Sequence, residues 1–154
     1  MAVNLFSFVS LLLFSALLLP SSTHCKKIEY CDVKGDYDVK VKGVDISPNP
    51  VVRGKPATFS ISAFTEKAIS GGQLVIDVYY YGAHIHSETH DFCEETSCPV
   101  SSGDFILSHS QSLPGFTPPG PYTLKMNLLS GDGVQLTCIR FGFNIKTHSS
   151  AADS

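Results

Sequence analysis

Apolar and polar residues alternate along most of the chain between positions 28 and 146, and a period of two is typical of β-strands that bury one face. The alternating segments are short, and Gly, Pro, Asp and Ser separate them. About seven such strands over about 110 residues are typical of two packed sheets. The sequence therefore predicts an all-β fold, an antiparallel β-sandwich. The antibody type is disfavoured, because that fold buries a Trp and this chain has none.

Breaks in the alternation predict where strands bend and turn. The apolar residues around Gly43 stand at odd positions before it and at even positions after it, as Val44 and Ile46 show. A β-bulge, which inserts one extra residue, produces this change of parity. Two prolines in residues 47–50 exclude regular strand pairing there and predict a turn. The Asp-Gly pair within residues 130–133 predicts a hairpin turn between the last two strands.

The N-terminus carries a short hydrophobic leader. The run from Leu5 to Leu19 is almost entirely Leu, Phe, Val, Ala and Ser. It falls short of the roughly 20 residues that a membrane-spanning helix needs. No Lys, Arg, Asp or Glu precedes Lys26. The sequence therefore predicts a secretory signal peptide over residues 1–25, with cleavage after Thr23 or Cys25, and a retained membrane anchor is the alternative.

Five cysteines indicate an oxidising compartment. An odd count would leave one thiol unpaired, and cleavage after Cys25 leaves the four residues Cys31, Cys93, Cys98 and Cys138. Three pairings are then possible, and the sequence alone does not choose among them. Proximity favours Cys93 with Cys98, in which case Cys31 pairs with Cys138. We expect a protein that is secreted to the extracellular space or apoplast, or that resides in a vacuolar or endolysosomal lumen.

Composition and motifs exclude several classes of function. The chain has 11 basic and 14 acidic residues and a net charge of −3, which provides no electrostatic footprint for nucleic acid. Gly-x-Ser-x-Gly, His-Glu-x-x-His and phosphate-binding Gly loops do not occur in the sequence. We therefore predict a protein that is not an enzyme, needs no cofactor and binds no nucleic acid.

The histidines are the residues best suited to metal binding or catalysis. His84 and His86 share one face of a strand, and together with His90 they have the character of metal ligands. We interpret them as exposed side chains on an edge strand and predict no metal site; a metal-dependent hydrolase is the alternative. Ser108 and His109 are neighbours on a strand and point to opposite faces, so they cannot act as a nucleophile and its base.

The inward-facing rows of the strands carry many bulky apolar side chains. They either fill an ordinary core or line a dry cavity between sheets held slightly apart, and periodicity is the same in both cases. Each buried methylene of a lipid contributes about 0.8 kcal/mol, so a tail of about 16 carbons gains about 13 kcal/mol as an upper bound. The candidate pocket residues are Phe59, Ile61, Ile76, Val78, Tyr80, Phe105, Leu107, Tyr122, Leu124, Met126, Phe141 and Phe143.

Six motifs follow one another along the chain: Tyr30-Cys31-Asp32, Asp36-Tyr37-Asp38-Val39-Lys40-Val41, Ile46-Ser47-Pro48-Asn49-Pro50, Cys93 to Cys98-Pro99, Leu113-Pro114-Gly115-Phe116-Thr117-Pro118-Pro119-Gly120 and Tyr122-Thr123-Leu124-Lys125-Met126. In these motifs the chain resembles the ML-domain (lipid-recognition) family. It is most similar to small secreted plant-type members, which are related to the Niemann–Pick type C sterol carrier and to phosphatidylglycerol/phosphatidylinositol transfer proteins. We place the ML domain at residues 26–146 and a flexible tail at residues 147–154.

The resemblance implies an immunoglobulin-like β-sandwich with an apolar cavity that holds one sterol or phospholipid, without catalysis. It also implies that Cys31 pairs with Cys138 and that Cys93 pairs with Cys98. The sterol carrier's additional disulfide has no counterpart between Ser47 and Pro56. We expect a monomer that contacts membranes transiently and has a possible membrane or receptor partner. The alternative is a lipid-modulated protein-interaction module that acts as a co-receptor or in cell-wall or immune recognition.

Overall fold

The computed structural model of the protein describes residues 26–148, which form nine strands and one helical turn. The predicted signal peptide, with both of its cleavage positions, and residues 149–154 of the predicted tail lie outside the described residues. In chain order the elements are β1 (Ile28–Tyr30), β2 (Val39–Ser47), β3 (Val51–Val52), β4 (Pro56–Thr65), β5 (Gly72–Tyr80), β6 (Ala83–Asp91), α1 (Phe92–Glu95), β7 (Gly103–Ser112), β8 (Gly120–Ser130) and β9 (Gln135–Lys146).

The strands form two sheets that pack face to face. The larger sheet has the order β1-β9-β8-β5-β6, with β3 also paired to β9, and the smaller sheet has the order β2-β4-β7. Phe59 of the smaller sheet packs edge-on against Phe143 of the larger, with ring centroids 5.3 Å apart. The predicted all-β, immunoglobulin-like sandwich is confirmed. Strands β6 and β7 are the outermost strands of different sheets, and the segment containing α1 connects them.

Two of the nine strands are absent from the sequence prediction of about seven. Strands β1 and β3 span three and two residues, too few to display an alternating pattern. Both pair with β9, and β3 runs parallel to it, with Val51 opposite Ile145. Apart from this one pair, the strand pairs of the described residues are antiparallel.

The predicted bulge and hairpin turn are confirmed. The register of β2 against β4 shifts between Val41 and Gly43, which is the position at which the apolar residues change parity. The turn at residues 130–133 closes with a hydrogen bond from the N–H of Gly133 to the carbonyl oxygen of Ser130, at 2.9 Å. Gly133 has a φ of 82°, a left-handed conformation that glycine adopts without steric cost.

Two disulfides link these elements covalently. Cys31 is bonded to Cys138, with the Cα atoms 5.4 Å apart, and ties the segment after β1 to the middle of β9. Cys93 is bonded to Cys98, with the Cα atoms 5.3 Å apart, and closes the loop that contains α1. These are the pairings that the resemblance to the ML-domain family implies.

The segment that the sequence predicts as a disulfide loop begins with one turn of α-helix. A carboxylate oxygen of Asp91 accepts a hydrogen bond from the N–H of Cys93 at 2.7 Å and caps the N-terminus of α1. Phe92 is fully buried and anchors the turn to the core. This arrangement sets Glu95 at the side of the sandwich where β6 and β7 meet. No helix within residues 26–148 is long and apolar enough to cross a membrane.

Candidate functional site

An apolar cavity of about 330 Å³ lies between the two sheets. Ligand pockets in proteins span about 300–1,000 Å³, so this volume lies at the lower end of that range. The walls come from both sheets and from the loop between β7 and β8. The lining residues are Phe59, Ile76, Val78, Ile85, His86, Glu88, His109, Gln111, Leu113, Pro114, Phe116, Thr117, Pro118, Tyr122, Leu124, Phe143 and Ile145.

Exposed apolar side chains mark where the cavity meets solvent. Ile85 on β6 is 53% exposed and Phe116 in the loop between β7 and β8 is 84% exposed, and both line the cavity. Exposed apolar residues that occur singly are common on protein surfaces, whereas a group at a cavity opening is typical of an interaction site. The opening is therefore apolar on two sides, β6 and the loop between β7 and β8.

The polar lining residues of β6 and β7 lie together along one side. His86 and Glu88 come from β6, and His109 and Gln111 from β7. Nε2 of His109 lies 3.5 Å from Oε1 of Glu88, so the two sheets touch here through polar side chains. An apolar cavity with a few convergent polar groups is the usual form of a small-molecule binding site.

Six of the twelve residues that the sequence proposes for a pocket line this cavity. They come from β4, β5, β8 and β9, and their side chains all point inward. This group consists of Phe59, Ile76, Val78, Tyr122, Leu124 and Phe143. On these four strands, the predicted alternation therefore identifies the side chains that face inward.

The other six proposed residues lie elsewhere in the sandwich. Four of them line a separate void of about 20 Å³, which is about the size of one water molecule, and these are Ile61, Phe105, Leu107 and Met126. Tyr80 packs against Tyr122 with ring centroids 4.8 Å apart, and its hydroxyl donates to the carbonyl oxygen of Pro119. Phe141 is buried beside Phe59. Inward rows run the length of each strand, whereas the cavity occupies only one end of the sandwich.

Several lining residues were not proposed from the sequence. Strand β6 contributes Ile85, His86 and Glu88, although its largely exposed residues show no apolar alternation. His109 is 3% exposed and faces inward, opposite Phe59 in the register of β4 and β7. A signal for His109 existed in the sequence, because it shares the parity of the inward-facing Phe105 and Leu107.

The histidines considered as metal ligands do not form one group. His84 lies beside Asp77 on β5, with Nε2 and Oδ1 3.4 Å apart, whereas Nε2 of His86 lies 3.6 Å from Oε2 of Glu88. His90 instead joins Glu88 and His109, and potential ligand atoms of these three residues lie within 4.8 Å of one another. The strand register explains the difference. The pairing of β5 with β6 shifts between Val78 and Tyr79, so that His86 lies opposite Val78 and His84 opposite Tyr79, on different faces of the sheet.

Tyr122 presents its ring to the cavity and its hydroxyl to the adjacent loop. The hydroxyl donates to the carbonyl oxygen of Pro118 at 2.8 Å. Burial raises the pKa of Tyr122, and the neighbouring Tyr80 raises it further. The phenol is therefore neutral, and it contributes an apolar face while it fixes the position of the loop between β7 and β8.

The sequence of residues 26–145 matches the model of one protein family, which is described as the ML domain. This chain belongs to the ML-domain family. The match covers almost all of the described residues and confirms the resemblance seen in the sequence motifs. The ML domain therefore includes both sheets, both disulfides and the cavity.

Relatives of this ML-domain chain include transfer proteins of fungi. A phosphatidylglycerol/phosphatidylinositol transfer protein of Aspergillus oryzae is 35% identical over 120 residues, which cover 73% of this chain and 68% of the relative. A protein of the same name from Yarrowia lipolytica is 30% identical over 118 residues, which cover 73% of this chain and 62% of the relative. The second relative is thus matched over less than two thirds of its length.

Two solved structures share the fold of this ML domain. A Niemann–Pick type C2 protein from the Japanese carpenter ant superimposes with a TM-score of 0.63 at 14% sequence identity, covering 78% of this chain and 99% of the other. Chicken MD-1, in a complex with lipid IVa, superimposes with a TM-score of 0.51 at 16% identity, covering 76% and 87%. At these identities the similarity establishes the architecture of the sandwich.

Proposed function

We propose that the protein is a non-enzymatic lipid-binding and lipid-transfer protein that holds one sterol or phospholipid between its two sheets. The observation that carries this proposal is the apolar cavity of about 330 Å³ in a domain of the ML family. The names of the fungal relatives support phospholipid transfer, and burial of each methylene in such a cavity contributes about 0.8 kcal/mol.

The polar side of the cavity gives a bound lipid an orientation. The hydrocarbon part lies against the apolar strands β5, β8 and β9, where Val78, Leu124 and Phe143 line the wall. The polar part lies toward β6 and β7, where His86 and Gln111 offer hydrogen-bonding groups. Burial of a polar headgroup without such partners would cost free energy that the tail would have to offset.

Transfer requires a route between the cavity and a membrane that does not expose the tail to water. We place the membrane contact at the opening, where Ile85 and Phe116 are exposed. Apolar side chains of this kind insert shallowly at a membrane interface. The net charge of −3 disfavours a purely electrostatic attachment to anionic lipids, which favours a brief contact over stable attachment.

Compartment and assembly follow from the same features. Two disulfides are compatible with an oxidising environment, either outside the cell or in a vacuolar or endolysosomal lumen. We propose that the protein acts as a monomer and that a membrane or a receptor protein accepts its lipid.

Native mass spectrometry of the secreted, purified protein tests the proposal, followed by organic extraction of whatever is bound. We expect the mass of one sterol or phospholipid per chain, and the extract then distinguishes the two classes. A protein that is empty, and that stays empty after incubation with mixed sterol–phospholipid liposomes, would overturn the proposal. In that case a protein-interaction module becomes the better explanation.

A further inference from the structure

We propose that Glu88, His90 and His109 bind one divalent transition-metal ion, best matched by Zn²⁺, and that Glu95 supports the two histidines. These four residues come from β6, β7 and α1, so the site lies where the two sheets meet at one side of the sandwich. The site borders the cavity, but the proposal does not rest on lipid binding. It shares only His90 with the histidines that stand out in the sequence.

Two of the three separations between the ligand atoms match those of a tetrahedral metal site, and all three lie within 4.8 Å. Nε2 of His90 lies 3.4 Å from Oε1 of Glu88, and Nε2 of His109 lies 3.5 Å from the same oxygen. Zinc binds imidazole nitrogen and carboxylate oxygen at about 2.0–2.1 Å, which places neighbouring ligands of a tetrahedron about 3.3–3.4 Å apart. The two observed separations agree with that edge length, so both imidazoles converge on Glu88 as a metal would require.

A second carboxylate lies on the opposite side of both imidazole rings. Oε2 of Glu95 is 3.2 Å from Nδ1 of His109, and Oε1 of Glu95 is 3.7 Å from Nδ1 of His90. Metal-binding histidines almost always donate their other ring N–H to a carboxylate, a backbone carbonyl or water, which fixes the tautomer and the orientation of the ring. Glu95 is the carboxylate beside both Nδ1 atoms, although neither contact has hydrogen-bond geometry. A small shift of its side chain would let it accept from these N–H groups and leave the Nε2 atoms to coordinate.

Two of the four ring nitrogens of this cluster are buried without a hydrogen-bond partner. Nε2 of His90 and Nδ1 of His109 are buried and make no hydrogen bond within the described residues. His109 is almost completely buried, and buried polar atoms in proteins are nearly always satisfied. A metal ion would satisfy the first of these atoms directly. Coordination of His109 through Nε2 would place its proton on Nδ1, the atom that faces Glu95.

The charge of the cluster also favours a cation. The side chains of Glu88 and Glu95 are only 21% and 11% exposed. Among residues 26–148, the ion-pair partners of both carboxylates are histidines, with His86 facing the second oxygen of Glu88. Two largely buried carboxylates need compensation, which either one divalent cation or two protonated imidazoles can supply. Direct metal binding distinguishes these two explanations.

The fourth coordination position would be open. Glu88 and His109 both line the cavity, so the metal site would border it. Sites with three protein ligands usually hold a water molecule or another small ligand there. The ion would also bridge β6 to β7, and thereby hold the two sheets together at this side.

The test is titration of Zn²⁺ into the secreted, full-length protein, purified without a histidine tag, stripped with a chelator and dialysed. We expect one Zn²⁺ per chain by calorimetry and elemental analysis, a higher thermal midpoint with Zn²⁺, and the visible absorption of tetrahedral Co²⁺ when cobalt replaces zinc. Glu95→Gln should weaken Zn²⁺ binding about 10–100-fold, the usual effect of losing a supporting carboxylate. His90→Gln and His109→Gln should weaken it further.

His84→Gln is the matched control, because His84 lies on the same strand outside the cluster. It should bind Zn²⁺ like the unchanged protein. His109 is part of the core, so circular dichroism verifies folding, and the more accessible His90 provides the decisive variant if His109→Gln is unfolded. Absence of stoichiometric Zn²⁺ binding in the folded protein would overturn the proposal, as would equal losses in His84→Gln and His90→Gln.

Discussion

Placing a negative charge on the cavity wall should strongly weaken lipid binding while the fold is retained. Val78 lies on β5, opposite Leu124 of β8 and His86 of β6, and its side chain lines the cavity. It is only partly buried, so Val78→Asp leaves the carboxylate hydrated in the empty protein. A bound hydrocarbon tail would displace that water, and the cost of desolvating the charge opposes binding.

The size of the effect follows from the cost of a charge in hydrocarbon. An Asp at the centre of a membrane helix costs about 2.5–3.5 kcal/mol on insertion scales. At 1.4 kcal/mol per factor of ten, Val78→Asp should raise the Kd for lipid about 60–300-fold. Titration with a fluorescent phospholipid or sterol measures the Kd, and native mass spectrometry of the secreted variant reports whether it retains lipid.

Val75→Asp is the matched control for this prediction. Val75 lies on the same strand, but its side chain has the opposite parity to the buried Leu74 and Ile76 and so points away from the cavity. The control introduces the same charge and should leave the Kd within about threefold, the range expected of independent surface changes. If Val78→Asp is folded by circular dichroism and binds lipid with unchanged affinity, the lipid does not occupy this cavity.

Two further predictions concern the opening and the outer face of the larger sheet. Phe116→Ser should slow lipid transfer between vesicles more than it weakens equilibrium binding, because Phe116 is exposed at the opening; equal losses in both measurements would argue against membrane contact there. Burial raises the pKa of Asp77, but the hydrogen bond from Ser87 and the charges of Lys125 and His84 outweigh it and hold the pKa below its ordinary value. Asp77 therefore stabilises the fold above the ordinary carboxyl pKa, and this contribution is lost as the pH falls through the folded pKa. Asp77→Asn should lower the free energy of unfolding by about 1–2 kcal/mol at neutral pH, and chemical denaturation at several pH values should find the difference shrinking in acid.

For the long strands other than β6, the sequence predicts which side chains face inward, but it does not predict the position of the cavity. Leu74, Ile76 and Val78 all face inward on β5, as their alternation predicts. Yet Leu74 lines the small void, whereas Ile76 and Val78 line the cavity. The difference depends on how far apart the two sheets stand at each end, and long-range packing sets that separation. Local periodicity carries no information about it.

The polar side of the site was harder to predict for a different reason. Strand β6 lies at the edge of its sheet and is mostly exposed, so it lacks the apolar pattern that identifies inward positions. Glu95 reaches the cluster because the Asp91 cap and the buried Phe92 form one helical turn. The inward orientation of His109 could have been predicted from its parity. Its partners on β6, however, are brought near it only by the stacking of the two sheets.

The position of β6 and β7 at the outer edges of different sheets has a consequence for the range of ligands. The ladders of backbone hydrogen bonds run within each sheet. The two sheets can therefore separate at this side without breaking a strand pair. Side-chain contacts such as that between Glu88 and His109 are what such an opening must give up. We therefore expect a ligand larger than the cavity of about 330 Å³ to be accommodated by separation of β6 from β7 at this side.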